Sequence, residues 1–412
     1  MRLVYKFNNY ENNDKLFELC RYSKDLYNQA LYYVNQMLKD NKYVSYYDLN
    51  KYMYNLVNLD GEINYKKLKA QVSQQCLKAL DKNVKGYFKS IKEYKNHPEK
   101  FKGCPKLPQY KRKNGYHQLI YTNQSAYIKN SKIYFSKDLY IKIPQYKEYK
   151  ERIDHFNEIR VNPKNGFTEI EIIYTVDEYR CYVDYKKFAS IDLGLSNLVT
   201  LVTEDQYPVI YSGKQIKSKN QYFNKTISKY KSILEKENGC KKSKRINQLW
   251  NKRYNQLDDV YHKVSRHIVN YLMQNKIGNL IIGYNNCWKD SIKLGKVTNQ
   301  NFVNVSYDRL ISMLKYKCEC VGIIVITNEE SYTSKCDSLS LESIEFHEKY
   351  NGKRVKRGLY LSYTGKVINA DINGAINIMR KVVGDSYVKD KIINSGLLFN
   401  PIKFKNLYNL DY

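Results

Sequence analysis

Residues 2–7 alternate polar and apolar with the two-residue period of a half-buried strand, and the Asn-rich run from Asn8 to Asp14 reads as a turn into helix. Leu16, Leu19, Tyr22, Leu26, Leu31 and Val34 then recur at helical spacing, and Leu68, Val72, Cys76, Leu77 and Leu80 repeat the pattern in a second predicted helix. Gly103, Pro105 and Pro108 end this region in a basic loop carrying Lys106, Lys111, Arg112 and Lys113. From 117 to 185 short alternating runs return, at 119–121, 132–135, 140–143 and 170–174, and predict a small β-barrel or sandwich completed by the first strand.

Strands are then expected at 188–193, 197–203 and 208–212, followed by a long helical region over 222–275 in which Ile246, Leu249, Trp250, Tyr254, Leu257, Tyr261, Val264, Ile268 and Leu272 form one apolar stripe. A strand at 279–282, a helix at 306–320, a strand at 322–326 and a final helix at 372–383 complete the pattern. The stretch 335–366, basic and strand-poor, reads as an insertion before that last helix. The order βββ, α, β, α, β, α is what an RNase H-like nuclease core looks like. The expected fold class is therefore mixed α/β and multidomain: a β-barrel from 1–10 and 102–185, a helical domain inserted at 11–101, and an RNase H-like nuclease domain over 186–412.

Seventy Lys and Arg against 41 Asp and Glu leave a formal charge of +29 over 412 residues, and a surplus of that size calls for a polyanion such as nucleic acid. The 43 tyrosines suit base stacking as a class, although most serve as amphipathic packing residues and none can be assigned individually. Nine cysteines are scattered with no Cys-x-x-Cys pair, a reduced pattern that predicts a cytoplasmic protein. Neither a secretory leader nor a membrane-spanning run is expected.

The candidate chemistry lies in two acids placed at the edges of apolar elements. Asp192 ends the strand Ala189-Ser-Ile-Asp192, with Gly194 allowing close backbone approach, and Asp371 opens the helix that contains Ile372, Ala375, Ile376 and Met379. Taken singly, the first could be a turn residue and the second a helix N-cap. The element order makes them neighbours, and paired carboxylates at such edges hold cations for two-metal phosphodiester chemistry. A third acid is expected at the end of the fourth strand, but Gly283 stands there. The adjacent strand instead ends in Glu329-Glu330, whose side chains point opposite ways on an extended backbone, so one of them supplies the ligand. Asp192 would then bridge two ions, with Glu330 and Asp371 holding one each.

Asp192-Leu-Gly194, Glu329-Glu-Ser-Tyr-Thr-Ser-Lys335, Gly352 to Tyr360 and Asn369 to Ile378 together resemble the TnpB proteins of bacterial insertion sequences, compact relatives of type V CRISPR effectors and Fanzor proteins. Tyr261 to Arg266 and the loop from Gly103 to Lys113 extend the resemblance over nearly the whole chain. It implies an RNA-guided endonuclease, carrying a guide RNA from the transposon end, that cuts double-stranded DNA beside a short flanking motif with one Mg²⁺-dependent RuvC site. The barrel would be wedge-like and the inserted helices a recognition domain. The missing fourth-strand Glu matches a subset with a rearranged site, and that register favours Glu330, with Glu329 as its substitute. Typical members carry two Cys-x-x-Cys pairs in the insertion, whereas only Cys336 is present here, with His347 as the sole other candidate. No structural zinc is expected. Lys335, Arg354 and Arg357 join Lys106, Lys111, Arg112 and Lys113 as expected nucleic-acid contacts. The alternatives are a catalytically inactive RNA-guided DNA binder and a transposase acting without RNA.

Overall fold

The computed structural model describes residues 1–177, 181–240, 243–284, 305–356 and 358–410. The chain divides into two units, Met1–Asp177 and Glu178–Tyr412.

In the first unit the N-terminal alternation forms β1 (Arg2–Asn9), and the helical stripes form α1 (Asn13–Lys39) and α3 (Ala70–Asn96). Between them lies α2 (Tyr46–Asn55), started by Ser45, whose hydroxyl accepts from the Asp48 N–H. The strands that follow are β2 (Leu119–Thr122), β3 (Tyr127–Lys129), β4 (Lys132–Tyr134) and β5 (Tyr140–Lys142), then a short helix α4 (Tyr146–Ile153), β6 (Phe156–Pro163) and β7 (Thr168–Thr175). They make two sheets: one ordered β1-β7-β6-β2, which the first strand joins antiparallel to β7, and one ordered β3-β4-β5. Leu16, Leu26, Leu31, Leu77 and Leu80 from the helices share a core with Leu119, Ile159, Ile170 and Ile172 from the first sheet.

The second unit holds one six-stranded sheet in the order β12-β11-β8-β9-β10-β16. Its members are β8 (Asp184–Leu193), β9 (Asn197–Thr203), β10 (Val209–Ser212), β11 (Ile277–Gly283), β12 (Ile324–Asn328) and β16 (Ile402–Phe404). Strands β8, β11 and β12 run parallel, so their C-terminal ends share one edge, while β9 is antiparallel to β8. Such strand ends are where open sheets of this kind bind ligands. β16 pairs parallel with β10 at the edge of this sheet.

The long helical region resolves into two helices, α5 (Lys214–Asn238) and α6 (Lys244–Gln274). Gly239 stops the first with φ +62°, and the Ser243 hydroxyl caps the second by accepting from the Ile246 N–H. Ile246, Leu257, Tyr261, Val264, Ile268 and Leu272 of the predicted stripe are buried, whereas Trp250 and Tyr254 stay on the surface. The third strand-linking helix, α7 (Tyr307–Val321), packs on α6, and α8 (Ala370–Val383) packs on β8 and β9. The insertion is not as strand-poor as its sequence suggests. β13 (Lys353–Lys356), β14 (Leu359–Leu361) and β15 (Val367–Asn369) form a small antiparallel sheet leading directly into α8. Among the described residues no helix is long and apolar enough to cross a membrane.

Lys317 on α7 is buried and donates to the His262 carbonyl at 2.8 Å and the Ser265 hydroxyl at 2.7 Å, both on α6. Burial, then the Arg266 charge, pull its pKa down to about 7, against a smaller opposing effect of Cys318. Above that value the folded chain lacks a proton that the unfolded chain keeps up to about pH 10.4, so Lys317 makes stability rise with pH across this window. Lys317→Met should therefore flatten the gain in melting temperature between pH 7 and pH 9, by the equivalent of about 1–2 kcal/mol. An unchanged pH slope in thermal melts would show that the ammonium is not desolvated.

Candidate active site

Three segments meet at the shared C-terminal edge of β8, β11 and β12. Asp192 is the penultimate residue of β8 and lies opposite Thr200 of β9. Ile282 pairs with Ile191, which brings the next residue, Gly283, alongside Asp192; Gly283 in turn pairs with Asn328 of β12, two residues before Glu330. Over this edge lies α8, held to β8 by the Ser190 hydroxyl donating to the Ala375 carbonyl at 2.7 Å. A Cβ built on Gly374 would stand 3.0 Å from Asp192 Oδ2, so the first turn of α8 approaches the strand carboxylate closely.

Asp371 sits in that first turn but does not cap it. The N-cap is Asn369, whose Oδ1 accepts from the Asp371 N–H at 2.9 Å, leaving the Asp371 carboxylate available. Its Oδ2 accepts from Asn197 Nδ2 at 2.6 Å. Asn197 is buried at the start of β9, five residues past Asp192, behind a turn in which a Cβ on Gly194 would meet the Asn197 carbonyl at 2.8 Å. Sequence reasoning missed Asn197; its signal was a polar residue opening an otherwise apolar strand.

The two consecutive glutamates separate as the backbone alternation requires. Glu329 is exposed and pairs with Lys381 at 3.3 Å. Glu330 turns inward, where its Oε2 would lie 2.8 Å from a Cβ on Gly283. Burial, and the Glu329 charge after it, push the Glu330 carboxyl up to about 7, against the opposing Lys381. Asp192 is pushed well above the ordinary carboxylate range by burial, then by Asp371, then by Glu330, while Arg354 and the Leu193 N–H oppose this. All three acids are thus electrostatic neighbours. They are not drawn into a closed cage: among the described residues no group of three or more His, Cys, Asp or Glu side chains converges tightly enough to hold a metal ion. The donor set itself, carboxylate oxygens set against mutual repulsion, suits a hard divalent cation such as Mg²⁺.

The insertion is organised by buried polar groups. Asp337 accepts from the Leu339 N–H, the Ser362 hydroxyl and the Tyr363 N–H, at 3.1, 2.7 and 2.8 Å. Glu342 accepts from the Asp337 and Asn351 N–H groups, each at 2.7 Å. Asn373 and Asn377 on α8 both donate to the Cys336 carbonyl, and Arg380 reaches Asn377 Oδ1 and the Glu342 carbonyl. The i, i+4 repeat of Asn369, Asn373 and Asn377 was the sequence signal for this face of α8. Cys336 is buried with its thiol toward the Glu345 carbonyl, and His347 is half-buried beside Ser343.

The expected basic contacts are placed as follows. Lys106, Arg112 and Lys113 are exposed, and Lys111 is half-buried with its ammonium 5.0 Å from the Tyr27 ring centre. Asn28 of α1 ties this loop down through the Lys111 N–H and carbonyl, at 2.8 and 2.9 Å. In the other unit Lys335 is exposed near the Tyr350 ring, and Arg354 is exposed on β13 within electrostatic reach of Asp192. Arg357 lies outside the described residues.

Two family models match in chain order. Residues 171–289 match OrfB_IS605, described as a probable transposase, and residues 307–378 match the Cas12f1-like TNB domain. The TnpB-like protein ORF457 of Acidianus two-tailed virus is 24% identical over 207 residues, 48% of this chain and 42% of the relative, so the match spans less than half of that protein's length. A cryo-EM structure of a Cas12f1–sgRNA–target DNA complex aligns with a TM-score of 0.53 at 17% identity, covering 88% of this chain and 82% of that one, and shares its mixed α/β fold. The matched segments contain β8 with Asp192, β11 with Gly283, Glu330 just past the end of β12 and the start of α8 with Asp371, and through them the chain is similar to TnpB proteins.

Proposed function

We propose that this protein is an RNA-guided endonuclease that cuts double-stranded DNA beside a short flanking motif, using a guide RNA from the transposon end. The observation that carries this reading is that Asp192 and Glu330 lie at one end of three parallel strands, with Asp371 in the first turn of the helix that crosses that end. In this reading residues 186–412 are a RuvC-type, RNase H-like nuclease domain with 335–366 as a target-binding insertion. Residues 1–10 and 102–185 form a wedge-like barrel, and 11–101 form a recognition domain.

Asp192, Glu330 and Asp371 would be the residues that hold the Mg²⁺ ions. When bound, the ions supply the positive charge that activates a water and stabilises the charge developing on the phosphoryl oxygens. The protein's own part is positional. Asn197 fixes one oxygen of Asp371, which sets the carboxylate's orientation before any ion arrives. Arg354 brings a cation to the neighbourhood of Asp192, where a scissile phosphate would need it. Lys381 holds Glu329 away on the surface. Sequence choice would rest with guide pairing, and Lys106, Lys111, Arg112, Lys113 and Lys335 would grip phosphates without reading bases.

The test is to express the chain with its native downstream flanking DNA, sequence the RNA that co-purifies, and challenge the complex with a randomised-flank target library and Mg²⁺. Guide-dependent double-strand cuts, absent for Asp192→Ala, are the expected result. Target binding without cuts would make the protein an RNA-guided regulator, and activity without RNA would return it to the transposase reading.

A further inference from the structure

The sheet formed by β3, β4 and β5 has two faces of opposite chemistry. Ile133 and Ile141 are fully buried on one face, with Ile128 packed against the same core. The two-residue period puts Tyr127 and Lys129, Lys132 and Tyr134, and Tyr140 and Lys142 on the other. Strand register then sorts these six residues into rows. Tyr127 pairs with Tyr134 and Tyr134 with Tyr140; Lys129 pairs with Lys132 and Lys132 with Lys142.

The tyrosines form a ladder. The Tyr127 and Tyr134 rings are stacked, 4.9 Å apart and 7° from parallel, and Tyr140 continues at 5.5 Å with a 40° tilt. The Lys132 ammonium lies 4.3 Å from the Tyr140 ring centre, so a cation already serves that end. At the other end Tyr127 is 51% exposed on an edge strand. Beside the ladder runs a row of three lysines directly opposite one another, an arrangement that destabilises a sheet by like-charge repulsion. Among the described residues none of the three forms an ion pair; Glu11 approaches β5 through the Lys142 backbone N–H at 3.1 Å. A row of ammonium groups without carboxylate partners next to an open aromatic stack is complementary to one strand of nucleic acid: phosphates for the lysines and a base for the ring.

We propose that this face binds single-stranded RNA, with a base extending the stack on Tyr127 and the backbone following Lys129, Lys132 and Lys142. RNA is chosen over DNA because the phenolic hydroxyls along the row can donate to and accept from 2′-hydroxyls. The identity of that RNA as the guide rests on the function proposed above; the binding itself does not.

The experiment measures the full-length chain against a fluorescein-labelled rA12 strand by anisotropy across a salt series, with dA12 alongside. Tyr127→Leu should weaken rA12 binding about tenfold or more, and Tyr127→Phe, which keeps the ring, should recover most of that loss. Tyr47→Leu, at an exposed tyrosine elsewhere, should change little. Lys129→Gln with Lys142→Gln should make the log–log salt slope shallower by about 1.4, the single-strand value for two lost phosphate contacts. Tyr127→Leu binding like wild type, an unchanged salt slope, or equal losses for rA12 and dA12 would each overturn the proposal. Intact guide-dependent cutting with no effect of Tyr127→Leu on RNA affinity sinks this inference alone. Ladder-dependent RNA binding in a chain that never cuts DNA sinks only the nuclease reading.

Discussion

Glu330→Ala is expected to reduce target cleavage by at least about a hundredfold, since one metal-holding carboxylate supports several kcal/mol of transition-state stabilisation. Glu329→Ala is expected to leave cleavage within a few-fold of wild type. The two residues are adjacent and chemically identical, so composition or net charge cannot explain a difference between them. Their surroundings can. Glu329 stands in solvent with Lys381 as its partner, and an exposed pair of this kind is worth about 1 kcal/mol or less. Glu330 faces Gly283 at the strand ends and raises the Asp192 carboxyl by its own charge. Cleavage rates at saturating complex, with Mg²⁺ varied, are the measurement. Glu330→Ala should also raise the Mg²⁺ concentration needed for half-maximal cutting, a shift that a purely structural role would not produce. Full activity in Glu330→Ala with loss in Glu329→Ala would reverse the assignment, and indifference to both would remove the relocated-ligand idea altogether.

Much of this site is legible in the amino-acid sequence, for a physical reason. Strand period, Gly at a turn and an apolar helix stripe are local signals, and they locate β8, β11, β12 and α8 to within a few residues. The alternation rule alone makes Glu329 and Glu330 diverge, and the fold puts one outside and one inside. What stays hidden depends on contacts between distant segments. Asn197 gains its meaning only because Asp371 comes to it from 174 residues away. Asp371 reads as a possible cap, yet Asn369 two residues earlier takes that place, because the backbone bends into the helix there. Strand β16 depends on an edge offered by β10, and the buried knot of Asp337, Glu342, Asn373, Asn377 and Arg380 is a network whose members look like ordinary surface residues in sequence. The helix break at Gly239 is locally visible, since a glycine after a charged run is a common stop.

Gly283→Ala is expected to cost both stability and cleavage, and the two losses should separate. An added Cβ would sit 2.8 Å from Glu330 Oε2 and 2.9 Å from Ile378 Cγ1, with Ile378 Cδ1 nearer still. Ile378 is buried in α8 and has little room to move, so overpacking should destabilise the fold by about 1–3 kcal/mol. Glu330 is the more flexible neighbour and will be displaced, which should lower cleavage about tenfold or more by moving a ligand that must be placed to a fraction of an ångström. Ile378→Ala in the same chain removes the apolar clash and should return part of the stability through a non-additive gain of about 0.5–3 kcal/mol. It does nothing for the carboxylate. The double variant should therefore melt closer to wild type than the sum of the two single changes predicts, yet remain poor at cutting DNA. If cleavage recovers in step with the melting temperature, position 283 affects only packing, and the absence of a side chain there has no bearing on how Glu330 reaches the strand edge from the neighbouring strand.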